Sequence, residues 1–147
     1  MTESSRLSNL LSEHGRAGVY LLPDEGSGAL SELATGLDFA FAHADLDGCA
    51  DKAEFLRRVA AALHFPTWFG HNWDALSDCL TDLSWLKADG YVVVLDHMDR
   101  FRLAAEDEFV TALDIFEEAA RSWADAGVPM WIFVGLSRDG ITHLRSL

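Results

Sequence analysis

Apolar residues follow two rhythms along this chain. Short unbroken apolar runs alternate with stretches in which apolar residues recur every three or four positions. The first pattern suits buried strands and the second amphipathic helices. The runs are AGVYLL at 17–22, ending at Pro23, YVVVLD at 91–96 and MWIFVGL at 130–136, while LDFAFAHADLDG at 37–48, where small and aromatic residues alternate, reads as a further strand and its exit turn. The helix-like stretches are SNLLSEHG near the start, ALSELATG at 29–36, DKAEFLRRVAAALH at 51–64, a segment from about Trp73 to Leu83, and about 104–126. Phe55, Leu56, Val59, Ala60 and Leu63 share one face of the third stretch, and Phe109, Leu113, Phe116, Ala120 and Trp123 one face of the last. DEGSG at 24–28 is expected as a loop, Gly36 and Pro66 as helix stops, Asn72 as an N-cap and Gly127 as a C-terminal cap. The tail SRDGITHLRSL is expected to add a turn of helix.

Strand runs that are continuously apolar, with helices between them, predict an α/β fold with a parallel sheet covered by helices and joined by right-handed crossovers. No repeat, low-complexity tract or linker divides the chain, so all 147 residues are expected to form one domain. Half of them are hydrophobic and the mean hydropathy is +0.07, enough for a packed core.

Charge narrows the picture. Asp and Glu total 24 against 11 Lys and Arg, a formal net charge of -13. Such a field repels nucleic acid and anionic membranes. It serves either solubility or the attraction of a basic partner. Cys49 and Cys79 form no CxxC pair and are expected to be reduced and partly buried, in a cytoplasmic protein. Neither a signal peptide nor a membrane span is expected, since no apolar run is long enough.

The motifs of common enzymes are missing: there is no GxGxxG, Walker loop, GxSxG or HExxH. GSG at 26–28 is too weak to mark a phosphate loop and is expected as a plain turn. His64 and His71 flank an aromatic loop and could meet a metal with Asp74, but zinc ligands normally stand at tighter spacing. Asp96 and His97 end a strand, where α/β folds often place function, although a polar strand exit explains them better. We therefore assign no catalytic residue, metal or cofactor.

The informative segment is FPTWFGHNWDALSDCLTDLSWL, residues 65–86. Asp74, Asp78 and Asp82 are spaced to line one side of a helix, opposite Leu76, Cys79, Leu80 and Leu83. No Lys or Arg interrupts the stripe, and Trp68, Phe69 and Trp73 stand at the helix start. Carboxylates recognise Arg and Lys through charge-assisted hydrogen bonds, and aromatics give rigid interface anchors. On spacing alone three readings stand: a solvated acidic face, an interface for a basic partner, and the paired acids of a metal-assisted hydrolase, which an exposed helix face serves poorly.

This segment resembles the signature of the barstar family, inhibitors of barnase-type ribonucleases. The matching positions are Pro66, the aromatic pair Trp68 and Phe69, Gly70, Asn72, Trp73, then Asp74, Ala75 and Leu76, then Asp78, Cys79, Leu80 and Thr81. The resemblance covers about residues 38–137 and leaves 1–37 as an N-terminal extension carrying an extra strand and helix. It implies a three-stranded parallel sheet in order 1-2-3, with 17–22 as an added edge strand. It also implies a non-enzymatic, stoichiometric inhibitor, an antitoxin or immunity protein that is monomeric when free and binds a basic ribonuclease one to one. By position, Asp78 corresponds to the acid that reaches deepest into the enzyme and Asp74 to its companion. Trp68, Phe69, Gly70, Asn72, Trp73 and Thr81 fall at contact positions, and Glu118 aligns with an outlying salt-bridging acid. The chain departs where Trp68 and Phe69 replace tyrosines, Ser77 replaces an exposed Trp, and Asp82 adds a carboxylate where Gly is usual. These departures bear on which partner is bound, so a basic protein other than a nuclease is the alternative.

Overall fold

The computed structural model describes residues 9, 11, 13, 16–23 and 26–137. Its elements are β1 (Val19–Leu21), α1 (Gly26–Gly36), β2 (Ala40–Asp45), α2 (Lys52–Ala62), α3 (Trp73–Asp82), β3 (Tyr91–Asp96), α4 (Asp99–Ala104), α5 (Glu106–Asp125) and β4 (Met130–Val134). The strands form one sheet in order β1-β4-β3-β2, with every neighbour parallel. The three strands of the expected core thus lie in sequence order, and the 17–22 run adds the edge strand beside β4. β3 and β4 are buried along almost their whole length, which is why they carry no alternation.

Each face of the sheet carries its own core. On one, Ala42, Ala44, Val93, Leu95, Ile132 and Val134 pack with Phe55, Leu56 and Val59 of α2, Leu76 and Leu80 of α3, and Phe109 and Phe116 of α5. On the other, Val92, Val94, Trp131 and Phe133 are sealed by Leu11, Tyr20 and the α1 residues Leu30 and Ala34. Trp131 donates its buried indole N–H to the Leu11 carbonyl. The described part of the N-terminal extension, chiefly α1, is therefore a third layer. It is also bound at its edge, where the Glu117 carboxylate of α5 accepts the Val19 N–H.

Two boundaries correct the sequence expectation. Gly26 and Gly28 lie in the first turn of α1 and not in a loop. The helix expected over about 104–126 begins at Glu106, and the short α4 before it was not expected. Ala105 between them is non-helical, and Glu106, Asp107 and Glu108 supply the acidic first turn that favours a fresh helix start. Gly127 follows α5 with a φ of +81°, the left-handed cap expected of it. Most of SNLLSEHG, and the tail beyond Ser137, lie outside the described residues.

Candidate functional site

The acidic stripe is built on α3, whose phase is dictated by what it buries. Leu76, Cys79 and Leu80 are fully enclosed in the core. Asp74, Asp78 and Asp82 consequently face solvent. Their Cβ atoms recur at about 5–6 Å, as positions four apart on a helix do. None of the three has an ion-pair partner among the described residues.

The helix starts where Asn72 Oδ1 accepts the Ala75 N–H at 2.7 Å, confirming the N-cap. The Asn72 amide reaches back to the Gly70 carbonyl at 3.4 Å. Gly70 is held close here, for a Cβ on it would lie 3.3 Å from Asn72 Nδ2. The helix ends one residue before the expected Leu83, which adopts the left-handed region and returns its N–H to Cys79 O. Thr81, though exposed, donates its hydroxyl to the Ser77 and Asp78 carbonyls of its own helix.

The two ring residues of the aromatic loop separate. Trp68 is 62% exposed, whereas Phe69 is only 5% exposed and supports the loop from beneath. Phe69 packs between Phe65 and His71, at 5.0 and 4.7 Å between centroids. Trp68 stands edge-on to Trp85, which is itself fixed by donating its indole N–H to Leu63 O. Trp85 lay within the informative segment, but nothing in its spacing marked it as the loop's buttress. His64 and His71, at either end of the loop, both take left-handed backbone.

Trp73 is half-buried and turned toward its neighbours: its indole N–H meets Glu108 Oε2 at 3.1 Å, and Lys52 Nζ lies 5.2 Å over its ring. Glu118 is exposed on α5, while the adjacent Glu117 is the residue that holds β1. Burial, followed by the nearby Asp82 and Asp78 carboxylates, pushes the Cys79 thiol up, which keeps it neutral beneath the stripe.

A second polar group occupies the carboxyl ends of β2 and β3. Register places Asp45 opposite Asp96. The like charges are bridged by imidazoles, His97 Nδ1 to Asp45 Oδ1 at 2.8 Å and His43 Nε2 to Asp96 Oδ2 at 2.9 Å. The hydrogen bond with Asp45 raises the pKa of His97, and His97 in turn lowers that of Asp45. No three or more His, Cys, Asp or Glu among the described residues are grouped to hold a metal ion, neither here nor around His64, His71 and Asp74. No helix among them is long and apolar enough to cross a membrane.

The surface around α3 can therefore do one kind of chemistry well. It offers three carboxylates in a row, with no ion-pair partner among the described residues, and one exposed indole to cationic donors of a partner. In comparisons with known proteins, the family described as Barstar (barnase inhibitor) matches residues 39–135, a span that contains β2 to β4 and the whole α3 surface. No curated protein matches the chain.

Proposed function

Because the chain belongs to the barstar family, we propose that it is a stoichiometric inhibitor of a small basic ribonuclease, acting through α3 and the loop before it. Asp78 and Asp74 enter among the enzyme's catalytic cations, and Asp82 extends the stripe. Trp68 packs on the rim beside Gly70 and Asn72, Thr81 lies at the far end, and Glu118 makes an outlying contact. The protein performs no chemistry itself, is a monomer before binding, and protects the cytoplasm of its producing cell.

One observation carries this reading. The acids of the family signature all face solvent, none has an ion-pair partner among the described residues, and no Lys or Arg lies between Phe65 and Leu86 to neutralise them. A merely solvated face would ordinarily mix both signs, because like charges one turn apart destabilise a helix by a few tenths of a kcal/mol per pair. Here the repulsion is kept, as an interface for a cationic cleft requires.

The experiment is a titration of a purified barnase-type ribonuclease with the protein, following RNA cleavage. The expected result is a linear loss of activity that reaches zero at one inhibitor per enzyme. Unchanged cleavage at a large excess would overturn the proposal.

A further inference from the structure

The direction of the acids depends on how α3 is rotated about its axis; its buried face sets that rotation, and two indole hydrogen bonds fasten it. At its start, Trp73 of α3 donates to Glu108 Oε2 of α5. Near its end, Trp123 of α5 donates to the Leu80 carbonyl of α3 at 2.7 Å. The helices thus exchange one indole bond at each end, in opposite senses. The Trp73 ring is further held against α2, 6.2 Å from the Phe55 ring and under Lys52.

Successive residues of an α-helix are about 100° apart around the axis. Turning α3 by one such step would bring Asp78 to where Cys79 is now enclosed. With Trp73 fixed toward α5, Asp74 and Asp78 are committed to the outward direction before any partner arrives. A surface fixed in its bound geometry avoids the ordering cost of association.

Glu108 has no place in the family signature, and its carboxylate is engaged by an indole N–H. That bond needs an acceptor oxygen and not a negative charge. We propose that Glu108 is a positioning residue of the inhibitory surface, acting through Trp73 to hold Asp74 and Asp78 in the direction that meets the enzyme. The inference rests on the function proposed above. It also gives Trp73 the part of a support and not of a contact.

The test compares wild type, Glu108→Gln and Glu108→Ala, with a barnase-type ribonuclease as the probe, well below the unfolding transition of each variant. The Trp73 indole N–H resonance, assigned through Trp73→Phe, is recorded in the free proteins. Glu108→Ala is expected to shift that resonance and weaken binding by about tenfold or more, whereas Glu108→Gln, which keeps an acceptor and loses the charge, stays within about threefold of wild type. Equal weakening by Gln and Ala would overturn the inference, because the charge and not the clasp would then matter. So would wild-type affinity in Glu108→Ala. If the wild type binds no such enzyme, the functional reading fails and the inhibitory part of this inference with it. The resonance still decides the clasp itself, and one unmoved in Glu108→Ala refutes it.

Discussion

Asn72 shows how closely one side chain ties local structure to the site. Its oxygen caps α3 and its amide closes the Gly70 turn, so it helps to fix the helix start that carries Asp74. Asn72→Ala is expected to cost about 1 kcal/mol of stability, whereas Asn72→Asp keeps most of it, since a carboxylate accepts the same bond and suits a helix N-terminus. Urea unfolding checks this, and an Asn72→Ala curve that superimposes on wild type would contradict it. This residue was legible in the sequence because an N-cap is a local signal. The partners of His97 were not, because Asp45 comes into reach only through the register of β2 on β3. The pair makes stability depend on pH. His97 is raised above its ordinary 6.5, so its contribution is full below that value and is lost as pH rises through the higher folded one. Asp45 is lowered from 3.8, so its share is present above that value and fades as acid reaches the lower folded one. The excess stability of wild type over His97→Asn, which tolerates the left-handed backbone there, should be larger near about pH 5.5 than near about pH 9. An excess that stays constant across that range would refute the bridge.

Among the elements, β1, β3 and β4 could be read from their apolar runs, β2 from its alternation of small and aromatic residues, and the parallel packing from the lack of alternation in β3 and β4. The short α4 could not, because six residues are too few to show a helical period and no Gly or Pro sets it apart from α5. Nor could the duty of the N-terminal extension, which is set by long-range burial. Val92 and Val94, Trp131 and Phe133 look like ordinary strand residues until α1 is seen to cover them. Leu30 lies at the centre of that layer with no exposed surface. Leu30→Ala is therefore expected to cost about 2–5 kcal/mol, the range for emptying a core leucine site. Denaturant unfolding that registers under about 0.5 kcal/mol, as a surface change would, means that the layer is not integral. At the site, the acidic stripe and Trp68 were legible because both follow from helix spacing and signature. The support given by Trp85, Glu108 and Trp123 was not, since each acts across elements distant in sequence.

For the molecule as a whole, the net charge of -13 acts at distances that no single contact reaches. It should steer encounter with a basic enzyme, so the association rate is expected to fall by about tenfold or more as the Debye length shrinks from ~30 Å at 0.01 M salt to ~3 Å at 1 M. Stopped-flow mixing across that range checks it, and a flat rate would show that charge does not lead the encounter. Steering by the whole field does not, however, separate a specific plug from a generally acidic surface. Two single-charge deletions do. Asp78 is exposed mid-stripe on α3, and Glu32 is exposed on α1 in the layer on the opposite face of the sheet. Each →Ala change removes one negative charge, and both proteins should fold as wild type does. The decisive measurement is the dissociation constant of each variant for a barnase-type ribonuclease at one fixed salt concentration. Asp78→Ala is expected to lose at least about 3 kcal/mol, over a hundredfold, because it strands buried cations of the enzyme; that magnitude is borrowed from charge pairs of the barnase–barstar complex and not read from this chain. Glu32→Ala should bind within about twofold of wild type, which is roughly 0.4 kcal/mol. Equal affinity of the two variants would contradict the claim that α3 is an inhibitory plug.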